Sequence, residues 1–186
     1  AGRARSMYAV AARSSAIQKR ADMMSAAGIN LDVIDIPEMA QRNLAALLSE
    51  DTQGVAMLSF NERGGLITLT RQGLLYLSRS LSTTQRDLED AATRAAHFDQ
   101  VVLEVQRSFD YYESHFRQAP IRSLALAPLP FEAAAFTDYL GANLNAQVKS
   151  IQLAQLIEVP GEMPLALQMS CLTVLGAALR QEVKAL

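Results

Sequence analysis

Between Gly54 and Leu81 the sequence carries three short strand-like runs, Gly54-Val-Ala-Met-Leu-Ser-Phe60, Leu66-Ile-Thr-Leu-Thr70 and Leu74-Leu-Tyr-Leu-Ser-Arg-Ser80, with only turns between them. Gly64-Gly65 falls in the first connection and Arg71-Gln72-Gly73 in the second, residues that accept the positive φ angles of tight hairpins. Three consecutive strands joined this tightly are an antiparallel meander, and a long helix follows it.

The clearest periodic signal follows it. Leu88, Ala91, Ala95, Phe98, Val102, Val105, Phe109, Tyr112 and Phe116 recur at steps of three and four, one stripe along a single long predicted helix. The seam changes from small Ala91 and Ala95 to aromatic Phe109, Tyr112 and Phe116, which favours a helix lying across a sheet over a coiled coil. Beyond it, Ile121 to Ala127 reads as a strand, Phe131 to Leu140 as a helix closed by Gly141, Gln147 to Ile151 as a short strand and Leu165 to Arg180 as a final helix.

Ahead of the meander the pattern is β-α-β-α. Ser6 to Ala12 reads as a strand, and Ser14 or Ser15 offers a cap to a helix ending near Ala27, with Gly28 as left-handed terminator. Leu31 to Ile36 reads as a second strand, and Pro37 opens a helix running through Met39, Leu44, Leu47 and Leu48. Two strands alone leave a small sheet with open edges, so this piece is expected to gain strands, from an upstream segment in preference to the second part of the chain.

Composition narrows the function classes. In 186 residues, half of them hydrophobic, 17 Lys and Arg stand against 19 Asp and Glu, a net charge of −2, and no basic block would neutralise a phosphate backbone. Nucleic acid is therefore not an expected partner. The lone Cys171 lies among Met169, Leu172, Val174 and Leu175 and reads as a buried thiol in a reducing, cytosolic setting. The uncharged run Met163 to Leu179 contains Pro164, Gln168, Ser170 and Thr173 and is shorter than the roughly 20 apolar residues of a spanning helix, so it reads as a buried helix.

Candidates for independent chemistry are few. His97 and His115 lack the i, i+4 spacing of a helical zinc pair, and no metal site is expected. Asp32 and Asp35 flank Val33-Ile34 and read as solvated strand-end aspartates, and no Gly-x-Ser-x-Gly elbow occurs. Of the methionines, the adjacent Met23 and Met24 cannot both enter one core, so one is expected at the surface.

Three antiparallel strands, a long helix, then strand and helix again is the order of a ribonuclease H-like or actin-like half. The runs Val55-Ala-Met-Leu-Ser-Phe-Asn61, Gly73-Leu-Leu-Tyr-Leu-Ser-Arg-Ser80, Leu103-Glu-Val-Gln-Arg-Ser-Phe-Asp-Tyr-Tyr112 and Gly176-Ala-Ala-Leu-Arg180 give the chain a resemblance to the PilM family of type IV pilus assembly platforms. Within that family it resembles the MshI branch from biogenesis of mannose-sensitive haemagglutinin pili, and more distantly the GspL cytoplasmic domain of type II secretion. The resemblance implies an actin-like α/β fold, with residues 1–52 as the late part of a first subdomain and 53–186 as the second. It implies a cytoplasmic protein at the inner membrane, bound to the short N-terminal tail of a PilN-like partner; oligomeric state is left open.

The family holds ATP between two lobes, and here the expected contacts are altered. Relatives carry Asp-Ile-Gly at the end of the first meander strand, where this chain has Ser59-Phe60-Asn61; the carboxylate that orders magnesium-bound water is gone. Paired glycines before the long helix are replaced by Thr83-Thr84-Gln85, and the adenosine glycine cluster by Pro128-Leu129-Pro130, whose prolines offer no amide hydrogen. Glu104 and Arg107 fall where ribose and adenine contacts would lie, though an exposed charge pair on a helix is ordinarily a solvated surface. The expectation is an eroded nucleotide site at Ser59, Asn61, Glu104, Arg107 and Pro128, with no catalysis and no cofactor unless an upstream lobe compensates. The alternatives are an ATP-gated switch or weak ATPase of the same machinery or of type II secretion, and an unrelated ribonuclease H-like interaction domain.

Overall fold

The computed structural model describes residues 8–130 and 133–181. They form two compact units that part between Ile34 and Asp35, ahead of the divide at 52/53 implied by the resemblance.

In the first unit, α1 (Ser14–Ala26) ends as expected, with Gly28 at φ +72°. Its start differs: Arg13 is the N-cap and no side chain caps the helix, so Ser14 and Ser15 lie inside it. Neither expected strand forms among the described residues. Residues 8–13 and 31–36 are extended or bent without ladder partners, and Ser6 lies outside the described residues. A strand needs a neighbour for its N–H and C=O groups, and β-type sequence alone does not supply one. No residue of α1 is buried; Met23 is exposed and Met24 half-buried.

The second unit is built on a five-stranded sheet. α2 (Pro37–Ala45) starts with Pro37 in its first turn and stops at Ala45, short of the predicted Leu48, before a 3-10 turn over Ser49–Thr52. The meander then forms as predicted, with β1 (Val55–Asn61), β2 (Gly64–Arg71) and β3 (Leu74–Leu81). The first turn is Glu62-Arg63, while Gly64 and Gly65 open β2 opposite Asn61 and Phe60. Gly65 is needed for contact: a Cβ there would stand 2.7 Å from the Phe60 ring. In the second turn Gln72 and Gly73 both have positive φ, 53° and 71°.

The long helix is broken, contrary to the continuous stripe. α3 (Gln85–Glu89) is opened by a capping box between Thr84 and Asp87 and ends at Asp90, and α4 (Arg94–Phe116) starts afresh after Asp90–Thr93. Then come β4 (Ser123–Leu126), α5 (Ala134–Asn143), β5 (Gln147–Ser150), α6 (Leu153–Leu156) and α7 (Leu165–Ala178). Gly141 lies within α5 and does not end it, and the predicted start at Phe131 is outside the described residues.

The strand order is β3-β2-β1-β4-β5, with β2 antiparallel to its neighbours and β1, β4 and β5 parallel. Alternation distributes the core. Ala56, Leu58 and Phe60 of β1, with Leu124 and Leu126 of β4, face Phe98, Val101, Val105, Phe109 and Tyr112 of α4 and Phe136 and Leu140 of α5. Val55, Met57, Ala125 and Ala127 point the other way, to Leu44 and Ala45 of α2, Leu153 of α6, and Leu172 and Leu175 of α7. α7 touches α2 closely at Gly176, where a Cβ would lie 2.6 Å from the Ala40 carbonyl carbon, and Asn43 Nδ2 donates to the Gly176 carbonyl at 2.8 Å.

Candidate functional site: the strand-end edge

Because β1, β3, β4 and β5 run the same way, their C-terminal ends share one edge of the sheet. In open α/β sheets that edge is where ligands bind. Ser59 and Asn61 lie there at the end of β1, Thr83 to Gln85 follow β3, and Pro128 follows β4, which is in register with β1 through Leu58 and Leu126. Ser59 and Asn61 also line one cavity of about 280 Å³, with Glu38 and Gln41 of α2, Arg63 in the hairpin turn and Thr173 of α7.

Several polar groups at this edge are engaged within the protein, while the buried Thr83 hydroxyl has no hydrogen-bond partner among the described residues. Ser59 Oγ donates to Gln41 Oε1 at 2.6 Å, while Gln41 Nε2 donates to the Met57 carbonyl at 2.7 Å and to Thr68 Oγ1 at 3.0 Å. Gln41 is 3% exposed, so this is a satisfied buried hub tying α2 to β1 and β2. Sequence reading missed it, although Gln41 shares the helical stripe of Leu44 and Leu48, a polar residue on an otherwise buried face. Asn61 Oδ1 accepts the Arg63 N–H at 2.7 Å, closing its own turn. Thr84 is engaged as the cap of α3: its N–H and hydroxyl both reach Asp87 Oδ2 at 2.8 Å. Those bonds, the backbone one foremost, hold the Asp87 carboxyl below the usual carboxylate range. Pro128 is buried, and neither it nor Pro130 has an N–H to donate.

Glu104 and Arg107 are not brought to this group. They lie midway along α4, on the opposite face of the sheet from Gln41. Glu104 Oε1 accepts from Arg107 Nη1 at 2.8 Å and Glu104 Oε2 from Arg79 Nη1 at 3.1 Å. His97, on the same helix, stands 4.0 Å from Asp87 Oδ1, and His115 stacks on Tyr111 far along it. Among the described residues no group of three or more His, Cys, Asp or Glu could hold a metal ion. Cys171 is half-buried, less enclosed than its apolar neighbours in sequence implied, because α7 buries only Gln168 and Gly176 fully. No described helix is long and apolar enough to cross a membrane.

A five-stranded 3-2-1-4-5 sheet with helices on both faces defines an actin-like α/β lobe. Solved structures agree on this fold. The chain is similar to a structure of the PilM-PilN type IV pilus biogenesis complex, with a TM-score of 0.65 at 17% identity, over 90% of this chain and 58% of that one. It is similar also to the ethanolamine utilization protein EutJ from Carboxydothermus hydrogenoformans, with a TM-score of 0.60 at 10% identity, over 90% of this chain and 62% of that one. The chain thus spans roughly three-fifths of either structure. No family model and no curated protein matches the sequence.

Proposed function

We propose that this chain is a lobe of a PilM-like cytoplasmic component of a type IV pilus assembly platform, of the MshI type, that works by holding partners and not by turning over nucleotide. Its partner in this reading is the cytoplasmic tail of a PilN-like protein, which places it at the inner face of the inner membrane. The likeness to the PilM-PilN structure supports the platform role. The observation that carries the loss of nucleotide chemistry is the Ser59–Gln41 hydrogen bond: the hydroxyl standing where relatives present a carboxylate is turned into the protein, at 2.6 Å from a buried amide. A neutral, internally bonded hydroxyl offers magnesium-bound water far less than a free carboxylate does.

The second reading, an ATP-binding switch of the same machinery or of type II secretion, draws on the cavity beside Ser59 and Asn61. Calorimetric titration of magnesium-ATP into the full-length protein separates the two, with Ser59→Asp and Asn61→Gly combined as a repair variant. The scaffold reading expects no heat from the unaltered protein and binding only after repair. Binding by the unaltered protein at cellular ATP levels would replace it with the switch.

A further inference from the structure

We draw no further inference here: the strongest candidate, the uncharged surface stripe of α7 on which Leu167 and Val174 stand exposed with the half-buried Cys171 between them, carries nothing because nothing in the structure shows what covers it.

Discussion

The two faces of the sheet are closed by different means. On the α4/α5 face the contact is aromatic: Phe98 and Phe136 lie 4.6 Å apart between ring centroids, Phe60 meets Phe136 edge-on at 5.9 Å, and Tyr112 meets Tyr76 at 5.4 Å. On the α2/α7 face the sheet presents smaller residues, and a single glutamine organises the contact through hydrogen bonds with Met57, Ser59, Leu66 and Thr68 while Gly176 lets two helix backbones meet. The first face is held by area and the second by geometry. A face held by area tolerates little loss of volume but has no directional demand; one held by geometry depends on a few exact partners being present.

Removing volume from the aromatic face should therefore have the largest effect. Phe136 is fully buried against Phe60 and Phe98, so Phe136→Ala is expected to cost about 3–5 kcal/mol in urea denaturation. A loss below about 1 kcal/mol would mean that α5 is not part of the cooperative core.

Next in size is the glutamine. Gln41→Leu keeps roughly the same volume but leaves the buried Thr68 hydroxyl and the half-buried Ser59 hydroxyl without their partner, for an expected cost of about 1–3 kcal/mol. Ser59→Ala in that background should recover part of it, because the stranded hydroxyl is removed with its partner. A double-mutant cycle with no coupling between positions 41 and 59 would break the contrast between the faces, reducing Gln41 to a packed side chain.

How far these features could be read from the chain follows the same division. The meander was legible because its signals are local: apolar runs of strand length and turn residues at Gln72 and Gly73. The aromatic stripe of α4 was legible by period, yet the same period concealed the break at Asp90, since Leu88, Ala91 and Ala95 keep helical spacing across it. The capping box of Thr84 and Asp87 was the available sign that a short helix starts there. The strands expected at 6–12 and 31–36 failed where described, because pairing is a property of neighbours and not of the run itself. At the candidate site, sequence placed Ser59, Asn61 and Pro128 on one edge, while Glu104 and Arg107 pair on the other face. The reach of Gln41 across to Ser59 spans eighteen residues and two elements, a contact that no local pattern encodes.

The smallest effect separates the faces by charge. Asp87, beside the α4 face, is lowered first by the Thr84 backbone N–H and then by its hydroxyl; Glu50, beside the α2 face, is lowered first by its hydrogen bond to Lys149, at 2.9 Å. In both cases the folded-state pKa lies below the unfolded one. The stabilisation is thus present above the unfolded value and is lost as pH falls through the folded value. Salt distinguishes them. The Glu50–Lys149 pair is an exposed ion pair, with the Lys149 side chain 53% accessible, so its contribution should fade as salt is raised from low to about 1 M at neutral pH. The Asp87 contribution comes mainly from a cap and should persist. Urea stability of Glu50→Gln and Asp87→Asn, measured against wild type at pH 7 and pH 3 in low and high salt, checks this. The Asp87→Asn deficit should survive salt and shrink in acid, and the Glu50→Gln deficit should shrink under either condition. A deficit for Asp87→Asn that vanished with salt would assign its role to His97, 4.0 Å away, and would make the entry to α4 a charged latch in place of a capped one.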